Sequence, residues 1–473
     1  MDYVKGLQDL DIEVTQAPLP LISGQIPTWL KGTLLRNGPG RFSLGNEHYQ
    51  HWFDGLAMLH RFYFDSGSAQ YSNRYITSRA YTEGMKKQKI VYPTFATVPD
   101  YSFLQKIIHW FKKPEAGQNP GVSVARLGGE YLALTESPSI VRFDDQTLNT
   151  DEVIEFDDVV RGETTTAHPH YDFENKHLVN FSLKFGRQSE YIYFKCSNNI
   201  RKREPIGRIP VDLPSYTHSF AMSERFIIHV EFPFVANPLR IRFGNVPYIK
   251  CFQWKPERGT RFTVLEKSSG KIIKQYQTDA CFAFHHINAF DNGDDIIVDM
   301  AAKPDTSVVD DLYLEHLRTS LGRPMQAHSQ LQRFILPLKN SELRQETISE
   351  EYLEMPTINY RAHNGRNYRY VYGLGTYKDR PDDFENQLFK IDSDSGNHII
   401  WYEENCYPWE PIFVPAPNST AEDEGVILST VLDSSKDQSF LLILNAKDFS
   451  ELARLALPHI IPLGFHAQFF VAN

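Results

Sequence analysis

Strand-length apolar runs follow one another along most of this 473-residue chain, among them Tyr131-Leu-Ala-Leu-Thr-Glu136, Phe226-Ile-Ile-His-Val-Glu231, Asp295-Ile-Ile-Val-Asp299 and Phe440-Leu-Leu-Ile-Leu444. Several break off in short polar corners: Phe64-Asp-Ser-Gly67, Phe143-Asp-Asp-Gln-Thr147, Leu265-Glu-Lys-Ser-Ser-Gly270, Ile391-Asp-Ser-Asp-Ser-Gly396 and Leu444-Asn-Ala-Lys-Asp448. An acidic or amide side chain bonds the turn backbone and Gly allows positive φ, so these read as hairpin corners. Hairpins recurring over the whole length predict an all-β chain of repeated small antiparallel sheets, the arrangement of a β-propeller. Their intervals are uneven and no WD or kelch period is present, so long insertions must separate the blades. A pair of packed sandwiches is the alternative.

Composition fits a large β core. Aromatic residues make up 13% of the chain, with 32 Phe and 24 Tyr, and aromatics favour pleated, half-buried surfaces. The formal charge of −10 argues against nucleic acid as a partner, which requires a concentrated basic face. Cys196, Cys251, Cys281 and Cys406 form no CxxC pair, so free thiols in a reducing cytoplasm are the simplest reading. The chain shows neither a secretory leader pattern nor an apolar run of about 18 residues, the length that spans a bilayer.

Two segments depart from the β pattern. Tyr101 to Lys113 reads YSFLQKIIHWFKK, with Phe103, Leu104, Ile107, Ile108, Trp110 and Phe111 crowding one helical side beside lysines. Such a helix either packs on the core or lies in a membrane surface, where aromatics and Lys are both favoured. A second helical stretch, roughly Ser307 to Leu321, belongs to a long insertion and reads as cap material.

Four histidines sit in apolar or aromatic segments far apart in sequence. His168 stands in Thr164-Thr-Thr-Ala-His-Pro-His170, His218 in Ser215-Tyr-Thr-His-Ser-Phe220, His285 in Phe284-His-His-Ile-Asn288 and His466 in Ile461-Pro-Leu-Gly-Phe-His466. Local zinc motifs place their ligands a few residues apart, which excludes them here. Scattered imidazoles can share a metal only if a closed scaffold gathers remote segments, and nitrogen ligation suits zinc, copper, iron or nickel.

With Arg36-Asn-Gly-Pro-Gly40, His51-Trp-Phe-Asp-Gly55, Asn73-Arg-Tyr75, Tyr372-Gly-Leu-Gly375, Glu410-Pro-Ile-Phe-Val414, Glu422-Asp-Glu-Gly425 and Leu442-Ile-Leu-Asn-Ala-Lys-Asp448, these histidine segments resemble the carotenoid cleavage oxygenase family. The likeness runs from about Arg36 to the C-terminus. It is nearer the animal β-carotene oxygenase and retinoid isomerohydrolase branch, and its bacterial relatives, than the plant epoxycarotenoid enzymes. Leu56-Ala57 departs from the residues many relatives carry there.

The resemblance implies a seven-bladed propeller, with a helical and loop cap, spanning 1–473 as one domain. It places a membrane-contacting insertion at about 95–120 and cap insertions that include about 303–330. It implies Fe(II) on the axis held by His168, His218, His285 and His466, chosen over His170 and His286 in the doublets. Adjacent strand side chains point to opposite faces, which is consistent with only one of His285 and His286 facing the axis. The resemblance also matches Glu136, Glu354 and Glu410 to carboxylates that hold the ligand imidazoles, and Thr135 to a position beside the open coordination site. The implied reaction is cleavage of a conjugated C=C bond of a carotenoid or apocarotenoid by dioxygen, giving two carbonyl products with retinal-like aldehydes among them. A polyene must leave a membrane to reach such a site, which favours the membrane reading of Phe103 to Lys113 and a cytoplasmic, peripherally attached protein. A stilbene-cleaving oxygenase, a retinyl ester isomerohydrolase and a non-catalytic binding platform are the alternatives.

Overall fold

The computed structural model describes residues 2–472 apart from 103–116, 244–245, 320–327, 340–341 and 382. Seven antiparallel sheets of four to six strands carry its core, and the end strands of neighbouring sheets touch around a ring. They are the blades of a seven-bladed β-propeller, taken as I to VII around that ring. The innermost strands are Ala467–Val471 in blade I, Ser123–Leu127 in II, Ala221–Met222 in IV, His286–Asn292 in V and Glu354–Thr357 in VI. In blades III and VII the innermost strand is interrupted: Thr164–Thr165 and His170–Asp172 both pair with His177–Lys184, while Cys406–Pro408 and Ile412–Pro415 both pair with Gly425–Asp433.

The ring is closed twice. Ala467–Val471 pairs with Gly32–Arg41 and so supplies blade I with its axial strand. Leu21–Gly24 pairs with Glu451–Ala456 and adds the rim strand of blade VII. Distant parts of the chain therefore share sheets at both closures, which removes the open edges a propeller would otherwise present.

The corners read from the sequence are hairpin turns. Ser66 and Gly67 have φ of 49° and 79° between paired Asp65 and Ser68, a two-residue turn whose twist matches its strands. Asp144 and Asp392 accept backbone N–H bonds from the residues that follow them. The strands between corners alternate less than a one-sided sheet would: Phe226–Glu231 is buried throughout. Each blade is covered on both faces by its neighbours, and large side chains fill the seams. Phe262 of blade IV meets Phe334 of V with ring centroids 5.0 Å apart, and full burial of a Phe side chain contributes about 1.5–3 kcal/mol.

The cap helix differs from its expected form. Instead of one stretch from Ser307 to Leu321, two short helices, Ser307–Asp311 and Leu314–Thr319, flank a break at Leu312 and Tyr313. Backbone groups at the break are diverted to another loop: Leu312 O accepts from Trp52 N at 3.2 Å and Leu314 N donates to Gln50 O at 2.8 Å. The segment containing Phe103, Leu104, Ile107, Ile108, Trp110 and Phe111 lies outside the described residues. Among those described, no helix is long and apolar enough to cross a membrane. All four cysteines are buried and free.

Candidate metal centre

Each blade delivers one of seven side chains to the axis. His466 directly precedes the inner strand of blade I, His285 precedes that of V, and His218 lies three residues before that of IV. His168 occupies the interruption in III. Glu354 opens the inner strand of VI, Glu410 fills the interruption in VII, and Glu136 follows the second strand of II. Except at Glu354, which pairs with Leu374, these side chains lie where the ladder is interrupted, has not begun or has ended, which frees them to turn inward.

Local sequence fixes each approach. In the His168 segment, His168 N donates to Thr166 Oγ1 at 2.9 Å, Asn180 Nδ2 donates to Thr166 O at 3.0 Å, and the Thr166 hydroxyl donates to His218 O. The segment before His466 is gripped by the Arg36-Asn-Gly-Pro-Gly40 motif. Asn37 exchanges backbone bonds with Phe465 and His466 at 3.0 Å, and Arg36 Nη2 donates to Pro462 O at 2.9 Å. A Cβ on Gly38 would lie 2.5 Å from Gly464 Cα, so glycine alone permits this approach. The His51-Trp-Phe-Asp-Gly55 motif supports the same segment, because Trp52 Nε1 donates to Leu463 O at 3.0 Å. Its Asp54 accepts from Ala96 N, Thr94 Oγ1 and Thr97 Oγ1 at 2.6–2.9 Å. These two motifs therefore build the scaffold of the site.

One ring nitrogen from each of His168, His218, His285 and His466 falls within a cluster spanning 4.8 Å. His218 Nδ1 lies 2.5 Å from Glu136 Oε1, His285 Nδ1 2.8 Å from Glu354 Oε2, and His466 Nδ1 2.7 Å from Glu410 Oε1. A carboxylate accepts, so each Nδ1 carries the proton and each Nε2 is a lone pair. His285 Nε2 and His466 Nε2 then face each other at 3.4 Å with no hydrogen between them. His168 Nε2 and His218 Nε2 approach to 2.9 Å. Converging lone pairs repel unless a cation lies among them, and neutral imidazoles backed by carboxylates are a transition-metal donor set. The residues fit a single metal ion.

Electrostatics favour that state. Burial, then the neighbouring imidazoles, pushes His168 well below the ordinary histidine range. Burial lowers His285 to about 4 against the opposing pull of Glu354. Burial also penalises the Glu354 carboxylate, yet Lys303 and His285 outweigh it and hold the group well below the usual carboxylate range. Lys303 Nζ, itself fully buried, is 2.8 Å from Glu354 Oε1. Glu136, Glu354 and Glu410 place negative charge behind the rings, offset only in part by Lys303 and by Arg36 near Glu410, which favours a cation among the imidazoles.

A cavity of about 310 Å³ reaches His218, His285 and His466. Its walls are mainly apolar, including Phe53, Phe95, Phe284 and Phe465, with Val308 and Leu312 contributed by the cap. Thr135 lines it beside Glu136.

The structure thus brings together all four sequence-derived histidines and all three glutamates. Sequence reasoning missed Tyr216, whose hydroxyl donates to Glu136 Oε1 at 2.8 Å, as well as Lys303 and the cavity residue Glu385. Tyr216 lies two residues from His218, the spacing of one strand face. Lys303 closes the apolar run Asp295–Ala302, where a lysine cannot be buried without a partner. Nothing local distinguishes Glu385 from the chain's many exposed carboxylates.

A seven-bladed propeller with four imidazoles converging on its axis beneath an apolar cavity defines a class, the metal-dependent oxygenases of carotenoid type. The chain belongs to the family described as retinal pigment epithelial membrane protein, whose model matches residues 7–471. It is 31% identical to β,β-carotene 15,15′-dioxygenase of Gallus gallus, over 96% of this chain and 95% of that one. It is 32% identical to carotenoid isomerooxygenase of Galleria mellonella, over 98% and 95%. Cobalt-substituted Synechocystis apocarotenoid oxygenase superposes with a TM-score of 0.88 at 25% identity, covering 100% of this chain and 98% of that structure.

Proposed function

We propose that the chain, working as one propeller domain, is a non-heme Fe(II) dioxygenase that cleaves a conjugated C=C bond of a carotenoid or apocarotenoid into two aldehydes. The observation that carries this reading is the continuity of the apolar cavity with the four-imidazole cluster. His168, His218, His285 and His466 would hold the iron, with Glu136, Glu354 and Glu410 fixing three of the four rings. Ferrous iron bound there supplies the redox chemistry that lets dioxygen react with an alkene.

The protein's own work is positional. Carboxylates lock the Nδ1–H tautomers, so the Nε2 lone pairs point at one place without rearrangement. The aromatic walls align an extended polyene and exclude water from the reacting bond. Thr135, at the cavity wall next to Glu136, would restrict access to a metal held by the four histidines. An alkene and dioxygen together contain all the atoms of two carbonyl products, so no side chain has to move a proton.

Peripheral attachment to a membrane on the cytoplasmic side belongs to the same proposal. It is supported by the apolar and basic make-up of Phe103 to Lys113, and by the chain neighbours Gly117, Gln118 and Asn119, which line the cavity. Replacing Ile107 and Trp110 with Glu should abolish liposome binding and leave iron content intact; undiminished binding refutes attachment through this segment.

The decisive experiment is anaerobic loading with Fe(II), then exposure to ¹⁸O₂ with a panel of carotenoids, apocarotenals and hydroxylated stilbenes, with products read by mass spectrometry. Labelled aldehyde pairs from a polyene are expected. Failure to retain iron, or cleavage of stilbenes alone, overturns the reading.

A further inference from the structure

Deep in the cavity wall lies a carboxyl group that the metal cluster does not use. Glu385 lines the cavity and is only 5% exposed. Its Oε1 accepts a hydrogen bond from the buried Tyr352 hydroxyl at 2.7 Å, while its Oε2 has no hydrogen-bond partner among the described residues. The atom is not sealed inside the protein, so it is open to whatever fills the cavity. A carboxyl oxygen that faces a binding cavity without a protein partner is a place where the occupant supplies a hydrogen bond.

The nearby ammonium is already engaged. Lys303 is committed to Glu354 at 2.8 Å and to Ser329 Oγ at 3.1 Å. Its Nζ lies 5.3 Å from the centre of the Tyr352 ring, so Tyr352 stands between the metal-supporting ion pair and Glu385. Burial raises the Glu385 carboxyl to about 7, opposed by the Tyr352 hydrogen bond and reinforced by Glu354, so both protonation states are accessible near neutrality. A hydroxyl group satisfies either state, donating to the carboxylate or accepting from the acid. A carbonyl can only accept, and a hydrocarbon does neither.

We propose that Glu385 is a specificity residue that binds a hydroxyl group carried by the polyene, so that the cavity selects hydroxylated carotenoids or apocarotenoids over their hydrocarbon counterparts. The assignment rests on the oxygenase reading given above. It places the polar end of the substrate against blade VI and leaves the conjugated chain among the aromatic walls that lead to the axis.

The test uses a matched pair of apocarotenals, one with a ring hydroxyl and one with an unsubstituted ring, on the wild-type, Glu385→Gln and Glu385→Leu proteins. Two readouts are needed: kcat/KM of the iron-loaded enzyme, and Kd of the metal-free protein from quenching of tryptophan fluorescence. Wild type should favour the hydroxylated compound by about tenfold or more in both, because a site built around a substrate hydroxyl discriminates against its absence. Glu385→Leu should bring both ratios close to one, and Glu385→Gln, which keeps an acceptor and nearly the same shape, should retain an intermediate preference. If wild type handles the two compounds equally, or the ratio survives in Glu385→Leu, the Glu385 assignment fails while the oxygenase reading stands. Cleavage of neither compound overturns both.

Discussion

Two sets of buried histidines lie almost side by side in this propeller, and their hydrogen bonds separate them. His168, His218, His285 and His466 turn a ring nitrogen to the shared cluster, and three of them rest the other on a glutamate. His229 is buried and His170 and His286 are partly buried, and all three meet neutral partners. His170 Nε2 donates to Phe220 O at 2.9 Å, His229 Nδ1 lies 2.9 Å from the Tyr193 hydroxyl, and His286 Nδ1 lies 2.8 Å from Ser219 Oγ. Burial depresses the basicity of His168 and His285 in the first set and of all three in the second, to about 3 for His229 and His286. Neutrality is therefore common to packing and metal-binding imidazoles. What differs is the carboxylate behind the ring, which fixes the tautomer and adds the negative charge a cation needs.

The comparison breaks most sharply at the rings themselves. His218→Ala should lose metal and turnover together, whereas His286→Ala should retain stoichiometric metal; elemental analysis of the two purified variants decides, and metal retained by His218→Ala would erase the distinction. Glu354→Gln tests the acceptor alone. A ten- to hundredfold loss of metal affinity is expected from removing such support, read by chelator competition, and unchanged affinity would make the carboxylates incidental.

Smaller effects sharpen the contrast through pH. In the folded chain His229 stays neutral down to about 3, while unfolded histidine protonates near 6.5, so wild type loses stability as pH falls through that interval. His229→Gln should flatten this slope by up to one proton, about 1.4 kcal/mol per pH unit, in denaturant titrations at pH 4.5 to 6. Glu385 has the opposite sign. Its folded value near 7 lies above the ordinary carboxyl value of 4.5, so stability falls as pH rises between them. Glu385→Gln should raise the melting temperature relative to wild type more at pH 8 than at pH 5, and a pH-independent difference would contradict a carboxyl that resists ionisation.

Much of this arrangement was legible in the chain, though unevenly. Corner residues such as Asp144, Asp392 and Gly67 act within a few positions of themselves, so local chemistry announced the hairpins. The choice of His168 and His285 within their doublets came through family resemblance, and strand alternation was only consistent with it for the adjacent pair His285 and His286. Blade count and the four-histidine metal cluster came through family resemblance, since no local rule connects His168 with His466. Lys303 and Glu385 stayed hidden because their meaning depends on Glu354 and Tyr352, neighbours supplied by folding. The cap stretch is two helices rather than one because Leu312 and Leu314 spend backbone bonds on residues 50–52, a tertiary demand invisible to helical periodicity.

The strand pair that closes blade I sets a hazard for biosynthesis. Gly32–Arg41 is made early, yet its axial partner Ala467–Val471 comes some 400 residues later. At roughly 5–20 residues per second, the nascent first blade waits tens of seconds with unpaired amides and carbonyls along Gly32–Arg36, the stretch that the late strand covers. An exposed edge of that length is a template for pairing with another chain. Aggregation during synthesis, more than instability of the finished ring, is then the failure to expect when expression is fast or chaperones are scarce.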